Sequence, residues 1–356
     1  MIHLTEEQIE NLKMIKNIID ERIKDADLKF KSNHKGYTFW CPKDMNEEKT
    51  KQGYTFYAYG GRVLDLYYYF SKKKDGTDKA EIKYSIFDKD YEKYDSRIKG
   101  VRDILANRQG NLDVRLNRLL TEIGDYEWNI VMETFEKWAK CPQEQESSNN
   151  KASTNKKKTH YERMRETAIA NRNSDYKEGN IKIIEMESRI CDDNQEINGK
   201  KPDLIGVYKD GDEIYFCYIE YKCTTAAMDG NQSPVKHYQV MRSCYTCKPE
   251  YFKSYDKRTG KPIIADLKSL DGVMPQILFV FSHIRDNDNN KLNPCMTFKK
   301  AKNSLDNIKK EINKDSVTYN HIKDNVKVLI ISDETEELRI DKLMTVEEAI
   351  AKLEND

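Results

Sequence analysis

The chain has 356 residues, of which 61 are basic and 61 acidic, so it has no net charge and no overall basic signature for nucleic acid. Charged residues make up 34% and hydrophobic residues 38%, which is typical of a soluble protein, and the length favours two domains over one. No apolar run approaches the roughly 18–20 residues of a membrane span, and the first residues lack a signal-peptide core, so we expect a cytoplasmic protein.

Residues 1–141 are predicted to form an N-terminal α+β domain. Thr5 and Gln8 form a capping-box pattern before a run of apolar residues at helical spacing. An aromatic β-hairpin follows, in which the Gly60-Gly61 pair separates 54–59 from 62–70, and a third strand is predicted at 81–87. Helical patterns then fill residues 98–140. The tyrosines of the hairpin could stack on bases, but an aromatic sheet core is the commoner alternative.

Residues 142–158 are rich in Gln, Glu, Ser, Asn and Lys and contain almost no apolar side chains. Such a segment cannot bury enough surface to hold one conformation, so it is predicted to be a flexible linker. It separates the N-terminal domain from a second domain at 159–356.

The second domain is predicted to alternate helices and strands in the order helix, three strands, helix, strand, helix, strand. The helices cover 160–173, 234–247 and 296–312, and the strands cover 181–190, the hairpin between residues 202 and 222, 276–282 and 326–332. A further C-terminal helix opens with a second capping box at Thr345. This order indicates an α/β fold (α+β overall for the whole chain), with a mixed sheet flanked by helices.

The hairpin between residues 202 and 222 carries the most specific pattern of the chain. The twofold period of a strand places Glu220 and Lys222 on one face. If Asp210 and Gly211 form the two-residue loop, Asp203 falls opposite Tyr218 on the same face, whereas a slip of one residue would reverse it. Two carboxylates can hold Mg²⁺ with positions left for water and a phosphate oxygen, and an ammonium nearby can stabilise negative charge on that phosphate.

Pro202-Asp203, sixteen residues, and then Glu220-Tyr221-Lys222, set among these elements, resemble the PD-(D/E)XK nuclease superfamily, whose fold is restriction-endonuclease-like. The resemblance covers about residues 160–285, and the N-terminal domain resembles no family. It implies that Asp203 and Glu220 are catalytic metal ligands for Mg²⁺, which Mn²⁺ can replace, and that Lys222 is the catalytic lysine.

The resemblance suggests further site residues on the two flanking helices. Many members have a glutamate on the helix before the first strand, and Glu162 lies closer to the apolar stripe of that helix than Glu166 does. The helix after the lysine offers Gln239 as a catalytic residue and Lys236 and His237 as substrate-binding residues. For each of these positions, plain helix surface is the alternative.

The expected function is a Mg²⁺-dependent endonuclease that hydrolyses DNA, as in restriction or anti-phage defence. A catalytically inactive nucleic-acid- or protein-binding adaptor of the same fold and a metal-dependent RNase remain the alternatives. The expected partners are DNA, a second copy of the chain, and a defence-system protein bound by the N-terminal domain, with no membrane. The lone Cys244-x-x-Cys247 pair lacks two further ligands nearby, so reduced thiols are expected rather than a zinc or iron–sulfur site.

Overall fold

The computed structural model describes residues 4–44, 50–141, 161–186, 202–224, 233–244, 273–282, 284–285, 296–315, 322–331 and 337–355. These residues form two compact units. The first contains the described residues up to Cys141 together with Arg163–Asn171, and the second contains the other described residues. Each unit combines helices with a sheet, so the chain has the predicted α+β class. The predicted linker at 142–158 lies outside the described residues.

The first unit contains an antiparallel sheet of four strands in the order β1-β2-β3-β4 within the described residues. Its elements are α1 (Glu6–Phe30), β1 (Thr38–Asp44), β2 (Lys51–Ala58), β3 (Gly61–Lys72), β4 (Asp78–Ile86), α2 (Ile98–Ala106), α3 (Leu112–Asn117) and α4 (Asp125–Lys140). Short 3₁₀ turns lie at Lys35–Tyr37 and Lys89–Lys93, and a π turn lies at Arg118–Glu122. The predicted cap of α1 is confirmed, since Gln8 N donates to Thr5 Oγ1 (3.2 Å).

The aromatic hairpin turns one residue earlier than the Gly60-Gly61 pair suggests. Ala58 pairs with Gly61, so Tyr59 and Gly60 form the loop, and both have positive φ (52° and 82°). The hydroxyl of Tyr59 makes a 2.7 Å hydrogen bond with His34 Nδ1, which helps to hold this conformation. A Cβ at Gly61 would meet the ring of Phe135 at 2.4 Å, so Gly61 is required for space.

The tyrosine-rich strands contribute to the core of the first unit. Tyr54, Tyr57, Tyr67 and Tyr68 are all buried. On the helix-covered side of the sheet, the ring of Phe56 packs edge-on against Trp128 of α4. This burial favours the sheet-core interpretation of the aromatic strands over base stacking.

The second unit contains a mixed sheet with the order β11-β8-β7-β6-β5 within the described residues. Its elements are α5 (Tyr161–Arg172, of which 163–171 belong to the first unit), β5 (Lys182–Met186), β6 (Leu204–Asp210), β7 (Glu213–Lys222), α6 (Pro234–Cys244), β8 (Val273–Ser282), β9 (Ile284–Arg285), β10 (Met296–Thr297), α7 (Phe298–Asp315), β11 (Val326–Ile331) and α8 (Val346–Asn355). Short 3₁₀ turns lie at Lys323–Asn325 and Ile340–Lys342. Strands β5, β6 and β7 are antiparallel, while β8 runs parallel to both β7 and β11.

The central strand β7 positions the site. Its second half is buried, and α6 packs against β7 and β8. On the face of β7 that carries Tyr221, interior hydrogen bonds tie the strand to β8, including Tyr221 Oη to Ser282 Oγ at 2.5 Å. The opposite face of β7 carries Glu220 and Lys222, and it is therefore held on a rigid, buried support.

Cysteines of both units are free thiols: Cys41, Cys141, Cys217 and Cys223. Burial raises the pKa of the Cys217 thiol, which keeps it protonated and unreactive. The side chains of the Cys244-x-x-Cys247 pair lie outside the described residues.

Candidate active site

The hairpin of β6 and β7 brings Asp203 beside Glu220 rather than opposite Tyr218. Asp210 pairs with Glu213 and Leu204 with Ile219, so the two-residue loop is Gly211-Asp212 and the register differs by two residues from the predicted one. Gly211 has φ +59°, and glycine at the first loop position suits a type II′ turn. Because the shift is an even number of residues, Asp203 stays on the predicted face.

The ammonium of Lys222 lies among three carboxylates. Its Nζ is 2.6 Å from Glu220 Oε1, 3.1 Å from Glu162 Oε1 and 3.7 Å from Asp203 Oδ2. The Lys222 side chain is only 3% exposed, so water screens these interactions little. The structure thus brings together four of the residues selected from the sequence, from helix α5, the start of β6 and the end of β7.

Backbone amides of the same strand end fix two of these carboxylates. Tyr221 N donates to Asp203 Oδ2 at 2.9 Å, and Cys223 N donates to Glu162 Oε2 at 3.3 Å. Each carboxylate therefore has one contact with the backbone after Glu220 and one with the Lys222 ammonium. The sequence pattern did not reveal these backbone contacts, because they depend on the strand register and on the tertiary placement of Glu162.

Glu220 is fully buried and lies between the side-chain nitrogens of two residues. Lys222 approaches its Oε1, and His237 Nδ1 of helix α6 lies 2.5 Å from its Oε2. Both contacts are within ion-pair distance, yet neither Glu220 oxygen accepts a well-aligned hydrogen bond. A buried carboxylate with this geometry retains capacity for a further ligand.

The electrostatics of the cluster reflect a surplus of carboxylates. Burial, followed by repulsion from Glu220, raises the pKa of Asp203 well above its ordinary value. Burial also raises the pKa of Glu220, but Lys222 and His237 outweigh it and leave that pKa below its ordinary value. Burial lowers the pKa of Lys222, and attraction by Glu162, Glu220 and Asp203 more than compensates, so that pKa lies well above its ordinary value.

The donor set fits a hard divalent cation in charge and chemistry. Three carboxylates surround one ammonium, and burial, followed by repulsion from Glu220, raises the pKa of Asp203 and favours its protonated form. Among the described residues, no group of three or more His, Cys, Asp or Glu side chains is arranged to hold a metal ion. Mg²⁺ commonly uses only one or two carboxylates and keeps several waters, so Asp203 and Glu220 would suffice.

The remaining candidates on α6 have different surroundings. Lys236 is exposed, and its ammonium contacts Gln239 Oε1 at 3.4 Å. Gln239 donates to Glu311 Oε2 of α7, also at 3.4 Å. These bonds direct Gln239 towards α7, whereas His237 reaches Glu220. Pro234, Tyr238 and Met241 are buried and follow helical spacing. This spacing is the feature of the sequence that could have indicated which face of α6 packs against the sheet.

No protein-family model matches the chain, and no curated protein or solved structure matches it. Among the described residues, every helix is too short or too polar to cross a bilayer.

Proposed function

We propose that the protein is a Mg²⁺-dependent endonuclease that hydrolyses DNA phosphodiester bonds at Asp203, Glu220, Lys222 and Glu162. The observation that carries this proposal is the buried Lys222 ammonium surrounded by three carboxylates at the end of the hairpin. The order α5, β5, β6, β7, α6 agrees with the PD-(D/E)XK resemblance and further supports it.

Asp203 and Glu220 are the residues that would hold Mg²⁺ or Mn²⁺ in this site. When bound, the ion would polarise a phosphate oxygen and lower the pKa of a water molecule. Each carboxylate has contacts that help to hold it in place: Tyr221 N donates to Asp203, while Lys222 and His237 lie against Glu220.

Lys222 is proposed to act as a fixed positive charge. The pKa of Lys222 lies well above its ordinary value, which favours the protonated form and suits a fixed charge better than a general base. An ammonium held at the end of β7 can instead stabilise negative charge that develops on the phosphate. Glu162 orients this ammonium at 3.1 Å and supports its charged form.

DNA is the proposed substrate because the resemblance extends to restriction enzymes and phage-defence effectors. The first unit, with its own core, suits a recognition or sensor role beside the cutting unit. Action in the cytoplasm on both strands of foreign DNA, as a homodimer or with a defence partner, belongs to the same proposal.

A cleavage assay with the full-length protein tests the proposal. Supercoiled plasmid is incubated with Mg²⁺, Mn²⁺ or EDTA, and nicked and linear products are quantified on gels. We expect metal-dependent cleavage that falls at least about 100-fold in Asp203→Asn and Lys222→Ala, the scale typical of lost charge stabilisation. Lys209→Ala, an exposed lysine near the opposite end of the hairpin, is the matched control and should cleave like the wild type.

The same assay separates the alternatives. Equal activity of wild type and Lys222→Ala would refute the assigned site. Cleavage of RNA in preference to DNA, measured in a mixed reaction, would favour a metal-dependent RNase. Nucleic-acid binding without metal-dependent cleavage of either polymer would favour the inactive adaptor.

A further inference from the structure

His237 is the one charged or titratable side chain of α6 whose contact with the carboxylate cluster the structure describes. Its Nδ1 lies 2.5 Å from Glu220 Oε2, and its side chain is 12% exposed while that of Glu220 is fully buried. By sequence it was predicted to contact substrate. Because Nδ1 lies this close to a buried carboxylate, the position of His237 fits a different role.

We propose that His237 is a positioning residue that holds Glu220 for the divalent cation. This inference rests on the proposed function, because it assigns His237 a role toward the same metal site. His237 approaches Oε2 from helix α6, while Lys222 approaches Oε1 from the strand itself. The Glu220 carboxylate is therefore contacted on both oxygens, by side chains of two different elements.

The need for such a residue follows from the rest of the cluster. Asp203 and Glu162 each accept a hydrogen bond from a backbone amide, whereas neither oxygen of Glu220 has a well-aligned bond. When a cation binds, Lys222 must share Glu220 with it, which weakens one of the two contacts on that carboxylate. His237 on Oε2 then keeps the side chain in place, and Oε1, the oxygen on the Lys222 side, becomes available. Residues that orient metal ligands in this way typically change metal affinity about 10- to 100-fold when removed.

The atom that makes the contact gives a sharp test. The side-chain amide nitrogen of asparagine can occupy the place of histidine Nδ1, whereas that of glutamine extends one bond further, towards the place of Nε2. His237→Asn should therefore preserve the contact, while His237→Gln and His237→Ala should lose it. All three variants are prepared as full-length protein and checked for folding by circular dichroism.

Binding of Mn²⁺ alone is then measured by electron paramagnetic resonance, without nucleic acid, alongside the Mg²⁺ dependence of plasmid cleavage. We expect the Mn²⁺ dissociation constant to rise about 10-fold or more in His237→Ala and His237→Gln, and to stay within about threefold in His237→Asn. The Mg²⁺ concentration for half-maximal cleavage should rise in parallel.

Unchanged Mn²⁺ affinity in His237→Ala, with cleavage lost only through a higher substrate KM, would overturn the positioning role and identify a substrate contact. Equal losses of Mn²⁺ affinity in all three variants would contradict the proposal that His237 acts through its Nδ1 contact with Glu220. If the wild type binds no Mn²⁺ and cleaves nothing, the proposed function fails and the role of His237 fails with it. That result differs from normal wild-type binding that is unaffected by the variants.

Discussion

Two clusters of this protein, each built around one buried charged side chain, have opposite balances of positive and negative groups. At Lys222, three carboxylates lie around one ammonium, and the pKa of Asp203 rises because the group is buried and because Glu220 repels its negative charge. Such an arrangement costs free energy of folding. A carboxylate-rich cluster of this kind is therefore better explained by a ligand than by stability.

At Asp95, in the first unit, the ratio is reversed: two cationic side chains contact one carboxylate. We therefore expect this cluster to stabilise the fold. Arg97 donates to its carboxylate through Nε at 3.0 Å and through a second guanidinium nitrogen at 2.6 Å, and Lys137 Nζ donates at 2.6 Å. These bonds, those from Arg97 first, hold the pKa of Asp95 well below its ordinary value of 3.8. Because the folded-state pKa is depressed, the stabilisation is present above pH 3.8 and is lost as the pH falls below that value.

Asp95→Asn should therefore destabilise the protein in a pH-dependent way. We expect a loss of about 1.5–3 kcal/mol in the free energy of unfolding at pH 7, typical of hydrogen bonds to a charged group. At pH 3 the loss should be about 1 kcal/mol smaller, because the wild type itself has by then lost part of the stabilisation that the ionised Asp95 provides. Urea unfolding followed by tryptophan fluorescence measures both values. Asp103→Asn, at a 59% exposed carboxylate, should change stability by less than about 0.5 kcal/mol, and an equal effect of both variants would contradict the argument.

At the scale of elements, the sequence predicted which face of a strand a side chain lies on better than it predicted how the strands pair. The twofold period placed Glu220 and Lys222 on one face, and an even shift kept Asp203 there, but the loop proved to be Gly211-Asp212. Strand β1 was missed because Pro42 interrupts its pattern, and proline is tolerated there because β1 is an edge strand among the described residues. The His237 contact was missed because it depends on how α6 docks on the sheet, which no local pattern specifies.

The loop at Gly211 sets the pairing register of β6 and β7, and its contribution to stability can be tested by substitution. A Cβ at Gly211 would meet no atom within 4 Å, so only its φ of +59° opposes substitution. Gly211→Ala should lower the free energy of unfolding by about 1 kcal/mol, because a positive φ is unfavourable for alanine. Gly211→Asn should lower it less, since asparagine is accepted more readily at positive φ in hairpin turns. Chemical unfolding followed by circular dichroism makes the comparison, and identical losses would show that φ is not the cause.

At the scale of the whole molecule, the two units can be observed separately because of where the tryptophans lie. All three, Trp40, Trp128 and Trp138, belong to the first unit, whereas the carboxylate cluster belongs to the second. Each unit has its own sheet and buried core. Tryptophan fluorescence therefore reports unfolding of the unit without the site, while far-ultraviolet circular dichroism reports both.

Mg²⁺ should accordingly raise the Tm seen by circular dichroism without moving the Tm seen by tryptophan fluorescence. A cation present at ten times its dissociation constant adds about 1.4 kcal/mol to the stability of the form that binds it. For a unit of this size, that corresponds to a rise of about 3–6 °C in Tm. In Asp203→Asn the rise should disappear, because the variant lacks one of the two proposed ligands. If the fluorescence Tm of the wild type rises as much as the circular dichroism Tm, either the cation binds the first unit or the two cores unfold together. A rise that persists unchanged in Asp203→Asn would place the cation elsewhere than between Asp203 and Glu220, and the surplus of carboxylates around Lys222 would then need another explanation.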